Sequence, residues 1–345
     1  VSGMIGAHPV PLLQTMRKTV VDGSNTSGFQ RTTLVATAGV LETEGGPVGI
    51  DVLCLEEDSA RKLDSKLTAD GEVVTWNLDR LGIPLIEIAT APDVKTPDHA
   101  KQTSIALGRT LRDTRRVRRG LGSIRQDLNV SLMCGDRVEI KGCQDLDWIP
   151  KIIRCEMSRQ LHFYRLANQL RSSNQLPLLS PDRRIESPNV ADEVSKILKL
   201  ELVDVSSSFE SCESKMVKSG LESNSIMLAL PLPGFNGLIG VKEFDADGAQ
   251  MPRLGRELAG AAKLAGVAGV FHSDELPAYG IEQEFVDATR KQLNGVDAFV
   301  LCLAPRWQGE LALESVLNRA RMAFDRIPQE VRNVVIKKGS PEDGT

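Results

Sequence analysis

The stretch from Ile124 to Lys141 limits what this chain can fold into more than any other. Arg125, Asp127, Asn129 and Ser131 alternate with Ile124, Leu128, Val130 and Leu132, with Gln126 as the exception. Arg137, Glu139 and Lys141 then alternate with Val138 and Ile140, and Cys134-Gly135-Asp136 supplies a turn between the runs. A period of two sends apolar side chains to one face and polar ones to the other. The spacing therefore predicts a β-hairpin with an apolar underside and a face carrying ions of both signs.

The surrounding sequence fills in an α+β chain. Leu34–Ala38 and Val48–Leu55 are β-rich runs separated by Glu44-Gly-Gly-Pro47, a turn by composition, and Ile83–Ala89 is a further short strand. Thr96-Pro97-Asp98 opens a helix with a hydroxyl cap, a proline in the first turn and an early acid, and that helix should run to about Asp113. A long helix is expected from about Ile149 to Leu170, with Ile153, Met157 and Leu161 at helical spacing. Arg171–Pro188, with three prolines, reads as an exposed crossover or linker. After Asn189, helices at Val190–Leu200, Leu254–Leu264, Glu282–Leu293 and Glu310–Phe324 alternate with short strands, which makes a self-contained α+β unit. The expected organisation is a domain over 1–197, a second over 198–325, and a return segment over 326–345.

Composition narrows the functional classes. At 345 residues the chain is long enough for about two domains. No run of 18 apolar residues occurs, the N-terminus lacks signal-peptide character, and the six cysteines stand singly; a reducing cytoplasm and no membrane are expected. The absence of an initial Met and the polar ending suggest an incomplete chain. The net charge of −4 implies no polyanionic partner, but residues 95–160 hold four Lys and ten Arg against eight acids. Arg109, Arg112, Arg115, Arg116, Arg118 and Arg119 crowd into eleven positions, a patch able to grip phosphates or to serve as a solvated helix end.

Three groups of residues could carry chemistry. Glu56-Glu57-Asp58 follows the strand Val52–Leu55, and Glu87 has apolar neighbours on both sides in Leu85-Ile-Glu-Ile-Ala89. Such a carboxylate is costly to bury unless paired or metal-bound, so a Mg²⁺ site competes with a solvent-facing position or a salt bridge to Arg80 or Arg125. Val21–Arg31, with two glycines and the small polar residues Ser24 and Asn25, is either a phosphate cradle ending in Arg31 or a long hairpin loop. It lacks P-loop spacing. The hairpin face of Arg125, Asp127, Asn129, Glu139 and Lys141 could hold a nucleotide and its metal, or be an ordinary ladder of ion pairs. The consecutive His272-Ser273-Asp274 cannot form a catalytic triad, and His8, His99 and His162 stand alone.

Several motifs together resemble one family. They are Thr19-Val-Val-Asp-Gly-Ser-Asn-Thr-Ser-Gly-Phe-Gln-Arg-Thr32, Leu55-Glu-Glu-Asp-Ser-Ala-Arg-Lys62, Leu78-Asp-Arg-Leu-Gly-Ile-Pro-Leu-Ile-Glu-Ile-Ala89, Arg119-Gly-Leu-Gly-Ser-Ile-Arg-Gln-Asp-Leu-Asn-Val-Ser131 and Arg137-Val-Glu-Ile-Lys-Gly142. The resemblance is to the GatB/GatE family, and within it to archaeal glutamyl-tRNA(Gln) amidotransferase E subunits (GatE). Pro233-Gly-Phe-Asn-Gly-Leu-Ile-Gly240 and Gly269-Val-Phe-His-Ser-Asp-Glu-Leu-Pro-Ala-Tyr-Gly-Ile281 are similar to an insertion shared by that subtype and bacterial-type aspartyl-tRNA synthetases.

The resemblance implies a mixed or antiparallel-sheet cradle domain carrying a synthetase-like α+β insertion. It implies a ligase that uses ATP and Mg²⁺ to phosphorylate the glutamate on Glu-tRNA(Gln), with ammonia supplied by a GatD-like asparaginase subunit. By motif, Glu57 and Glu87 would be metal ligands. Arg125, Asp127, Asn129 and Lys141 would face ATP, acyl phosphate or a channel wall; Ser24, Asn25 and Arg31 would bind the cofactor; Arg115, Arg116, Arg118 and Arg119 would contact tRNA. The family's metal-binding His precedes the part seen here, so the fragment alone is expected to be inactive. The alternatives are a non-catalytic tRNA-binding module and, from the second domain only, an aspartyl-tRNA synthetase.

Overall fold

One strand of thirteen residues, β3 (Phe29–Leu41), organises the first part of the chain. It is long enough to pair with two shorter strands along the same edge: β1 (His8–Pro9) at its C-terminal half and β2 (Thr15–Thr19) at its N-terminal half. Its other edge pairs with β4 (Val48–Glu57), which continues to β7 (Pro84–Thr90), and all of these pairings are antiparallel. β5 (Arg61–Thr68) and β6 (Gly71–Asn77) form a separate two-stranded hairpin. The computed structural model describes residues 1–68, 71–120, 122–240, 254–336, 339, 341 and 345. Parts of the expected insertion and return segment therefore lie outside the described residues.

Helix α1 (Pro97–Asp113) starts where its sequence signals place it. The Thr96 side chain accepts the His99 backbone N–H at 3.1 Å, and Pro97 occupies the first helical position, where its missing N–H costs no bond. Its Ala106 and Leu107 pack on the sheet over a core of Ile5, Ala7, Ala36, Leu41, Ile50 and Leu53. The helix ends as Arg115 takes a left-handed backbone, φ 57°.

His99, only 8% exposed, meets the Thr43 hydroxyl through Nε2 at 3.0 Å. The turn opposite depends on Gly45: a Cβ there would stand 2.6 Å from the His99 ring and 2.8 Å from Gln102 Oε1. Gly45→Ala is therefore expected to lower stability by about 1–3 kcal/mol through overpacking, measured by urea unfolding; an unchanged midpoint would show that the turn simply shifts.

The second unit contains the predicted hairpin: β8 (Leu128–Val130) and β9 (Val138–Lys141) pair antiparallel, with Leu128, Val130, Val138 and Ile140 buried. Helix α2 (Ile149–Ser173) follows, and then α3 (Ala191–Ile197). A four-stranded antiparallel sheet runs β10-β11-β13-β12, made of β10 (Val203–Asp204), β11 (Ile226–Pro231), β12 (Phe271–His272) and β13 (Phe299–Ala304). With it go α4 (Lys215–Glu222), α5 (Leu254–Lys263), α6 (Gln283–Gln292) and α7 (Arg306–Met322). Phe209, Phe271, Phe285 and Phe299 anchor its core beside Met227 and Leu301. The last strand, β14 (Glu330–Asn333), pairs parallel to β9. Both units are thus α+β with antiparallel sheets predominating. Among the described residues, no helix is long and apolar enough to cross a membrane.

The division between units differs from the expected boundaries at 197/198 and 325/326. Residues 1–126 with 144–150 form one unit, and 127–143 with 151–345 form the other. The hairpin joins the second unit because β14 adds to its sheet and because buried ions tie α2 to distant segments. Arg159 is fully buried and bridges Glu156 at 2.9 Å, Glu257 at 3.3 Å and Glu330. Glu257 also takes Arg319 at 3.0 Å and Arg332 at 2.9 Å. Burial alone would raise the Glu257 carboxyl, but Arg332, Arg159 and Arg319 outweigh it and hold the pKa down at about 2.

The stretch 171–188 is exposed at most positions, as its prolines suggest, but it is anchored at both ends rather than free. Arg171, 1% exposed, donates to the carbonyls of Phe324 at 2.6 Å, Pro177 at 2.9 Å and Pro188 at 3.3 Å. Arg326 donates to Ser180 O at 3.2 Å and to the Ser187 hydroxyl at 3.1 Å, and Leu179 is buried. Guanidinium groups here replace the backbone pairing that a proline-rich segment cannot make for itself.

Candidate functional site

Strand register decides which acids of the first unit meet. Cys54 lies directly opposite Glu87, and Glu56 opposite Leu85, with no bulge between these pairs. Residues opposite one another share a face, as do residues two apart, so Cys54, Glu56 and Glu87 project to the same side. Thr32 faces Glu56 from β3 and donates its hydroxyl to Glu56 Oε1 at 3.1 Å. Lys18 on β2 reaches across to form an ion pair with Glu56. Burial, then the Glu87 and Glu56 carboxylates, push the Cys54 thiol above its ordinary range, which agrees with this neighbourhood.

Glu57 points to the other side, which corrects the expected pairing of Glu57 with Glu87. Being one residue on from Glu56, it emerges from the opposite face of β4. There it forms an ion pair with Arg31 and accepts that residue's backbone N–H at 3.2 Å. The guanidinium holds the Glu57 carboxyl below its usual range. Arg31 is thereby placed away from Lys18, Glu56 and Glu87. Glu87 makes neither of the salt bridges considered for it: Arg125 lies on Asp58 at 3.3 Å, and Arg80 on the same oxygen at 3.9 Å.

The loop before β3 is folded on itself. Asp22 accepts the Ser24 N–H at 2.8 Å and the Ser24 hydroxyl at 2.6 Å, and these bonds lower its carboxyl pKa. Ser24 and Asn25 are 7% and 5% exposed, and the Ser24 carbonyl accepts from Ala60 N–H at 2.8 Å. Gly23 has φ +84°, and a Cβ there would approach the Trp76 indole nitrogen at 3.2 Å. These interactions are those of a packed hairpin loop, and the Ser24 hydroxyl is already engaged.

The hairpin face of the second unit carries a short ion ladder. Asn129 and Glu139 are directly opposite, and Lys141 bridges Glu139 at 3.2 Å and Asp127 at 3.8 Å. Asn129 and Lys141 are exposed, and the Asp127 side chain is about half exposed, at 47%. Arg125 belongs to the first unit, where it bridges Asp58 at 3.3 Å.

Arg109, Arg112, Arg115, Arg116, Arg118 and Arg119 are all exposed, and none forms an ion pair among the described residues. Unneutralised guanidinium groups at this density are suited to a polyanion.

Among the described residues, no three His, Cys, Asp or Glu side chains gather into a ready metal-binding group. Glu56 and Glu87 nevertheless supply two hard oxygen donors on one face. That number suits Mg²⁺, which commonly takes one or two carboxylates and completes its shell with water and phosphate.

Lys18 and Thr32 carry no mark in the sequence that would assign them to this face. Their roles depend on which strand lies beside which, and the only local signal is the single-residue offset within Glu56-Glu57.

Comparison with known proteins places the chain in a family. Residues 1–226 match the GatB/GatE catalytic domain. A Methanocaldococcus jannaschii protein, named as the E subunit of glutamyl-tRNA(Gln) amidotransferase, is 43% identical over 96% of this chain and 49% of its own length. Proteins of the same name from Pyrococcus abyssi and Methanosarcina acetivorans are 45% and 43% identical, over 96% and 97% of this chain and 48% of each relative. The chain spans about half the length of the curated relatives it matches. With the catalytic-domain match covering well over half its residues, the chain belongs to the GatB/GatE family.

Proposed function

We propose that this chain forms the activating part of an amidotransferase that converts the glutamate of Glu-tRNA(Gln) to glutamine at the expense of ATP. The observation that carries this reading is the single sheet face bearing Glu56, Glu87 and Lys18 in a GatB/GatE chain. Glu56 and Glu87 would hold Mg²⁺ there, and the ion would offset phosphate charge when bound. Lys18, at present on Glu56, is placed to take a phosphate oxygen once that carboxylate turns to a cation.

The chemistry has two halves. The γ-carboxylate attacks the terminal phosphorus of ATP and ADP leaves; ammonia then attacks the acyl phosphate and inorganic phosphate departs. A carboxylate oxygen is a poor leaving group and phosphate a good one, so the first half makes the second feasible. The name borne by the relatives supports the tRNA substrate, and a GatD-like, asparaginase-type subunit would supply the ammonia. Arg125, Asp127, Asn129 and Lys141 are assigned to phosphate or channel wall, Ser24 and Asn25 to shaping the loop, and Arg31 to fixing Glu57. The α+β segment 198–325 is assigned to a synthetase-like insertion.

The test is ATP hydrolysis by the full-length protein assembled with its ammonia-donating subunit. Turnover should require both Mg²⁺ and Glu-tRNA(Gln). The exposed, unpaired arginines favour a second reading, a tRNA-binding module without catalysis, and that reading predicts tRNA binding with no hydrolysis.

Either way, replacing Arg115, Arg116, Arg118 and Arg119 by alanine should weaken tRNA binding. The slope of log K against log salt should flatten by about 0.9 for each phosphate that the protein no longer neutralises. An unchanged slope in filter-binding titrations would assign the run to a solvated face.

A further inference from the structure

The second unit holds a cavity of about 570 Å³, a size that suits a small organic molecule. Arg171, Arg321 and Arg326 line it together with Val190, Val194 and Ile327. None of the three arginines forms an ion pair among the described residues; each is held by carbonyl or hydroxyl oxygens and keeps donors to spare. Arg171 spends Nε on Phe324 O and Nη1 on Pro177 O and Pro188 O. Arg321 gives Nε and Nη2 to Leu198 O at 3.1 and 2.7 Å, and Arg326 uses both terminal nitrogens on Cys134 O, Ser180 O and Ser187 Oγ.

Carboxylates also line the cavity: burial, together with Arg326, outweighs the attraction of Asp325 and holds the Arg171 guanidinium's pKa below its ordinary value. Asp136 is taken by Arg183 at 3.2 Å and by the Arg137 N–H at 2.7 Å, and one Asp325 oxygen accepts the Arg326 N–H at 2.8 Å. Glu186 is exposed. A buried guanidinium such as Arg171 is costly without an anion in direct contact, and a cavity lined by arginines that form no ion pair among the described residues, with an aliphatic wall, supplies what an amphiphilic anion needs.

We propose that this cavity is a binding site for a small organic anion with an aliphatic body. Its acid group meets the spare N–H groups of Arg171, Arg321 and Arg326, and its chain lies on Val190, Val194 and Ile327. The proposal concerns the second unit alone and does not depend on the reading given for the Glu56–Glu87 face.

Octanoate serves as the probe, titrated into the intact protein by calorimetry, with octanamide as a neutral control of the same shape. Met322 and Ser195 line the cavity and are exposed, so Met322→Glu and Ser195→Trp should leave the fold intact. Saturable binding of one octanoate is expected, with octanamide and the Met322→Glu variant each at least about tenfold weaker and binding lost in Ser195→Trp. Octyl phosphate in place of octanoate distinguishes a phosphate-bearing ligand from a carboxylate, either being an anion of the proposed kind. Equal affinity for octanamide, unaltered affinity in both variants, or no saturable binding at millimolar octanoate would overturn the proposal.

Discussion

If the proposed function holds, alanine at Glu56 or at Glu87 is expected to lower Mg²⁺-dependent ATP hydrolysis by the full-length, assembled protein by about 10³-fold, while alanine at Glu57 should leave it within about tenfold. The magnitude follows from the several kcal/mol that a bound cation contributes to charge developing on a phosphoryl group. The asymmetry between neighbouring glutamates follows from strand geometry. Glu56 shares a face with Glu87, while Glu57 is on the reverse side in an ion pair with Arg31. Steady-state hydrolysis of the three variants at saturating Mg²⁺ reads the difference. Equal losses at Glu56 and Glu57 would mean that the motif acts as a whole and that the face carries no meaning.

The second large effect concerns stability. Glu257→Gln removes the charge that Arg159, Arg319 and Arg332 share in a buried site, leaving cations without their counter-ion. Breaking a buried pair in this way costs about 3–5 kcal/mol, and the loss should appear as a lower midpoint in urea unfolding.

The pH dependence has a definite sign. The Glu257 carboxyl titrates at about 2 in the folded protein against an ordinary 4.5, so the unfolded chain binds the proton more readily. Its contribution, about 3 kcal/mol from the size of that shift, is complete above pH 4.5 and is lost as pH falls toward 2. The Glu257→Gln variant should therefore show a shallower decline of stability across that window. If its acid profile runs parallel to that of the parent protein, the carboxylate is not ionised in the cluster.

Much of the local structure was legible in the sequence because its causes are local. The capping threonine and proline at Thr96-Pro97 fix the start of α1 without reference to the rest of the chain. The alternation around Leu128–Val130 and Val138–Lys141 forms the hairpin it predicts, and the helices after Asn189 fall within a few residues of their periodic patterns.

What escaped depends on long-range pairing. The polar hairpin of β5 and β6 has too little hydrophobic alternation to announce itself. Arg171 and Arg326 convert a proline-rich stretch into an anchored one by bonds spanning well over a hundred residues, which no window of sequence contains. Which glutamate shares a face with Glu87 was hidden for the same reason. Two adjacent glutamates are chemically identical, and only the register of β4 against β7 says which of them faces Glu87.

The account rests on Glu56 and Glu87 acting jointly on one cation, and Mn²⁺ titration followed by electron paramagnetic resonance, in the presence of ATP, tests this most directly. Binding of the ion should weaken by at least about tenfold in Glu56→Gln and in Glu87→Gln and persist in Glu57→Gln. Loss of the bound signal in Glu57→Gln, with Glu56→Gln unaffected, would contradict it.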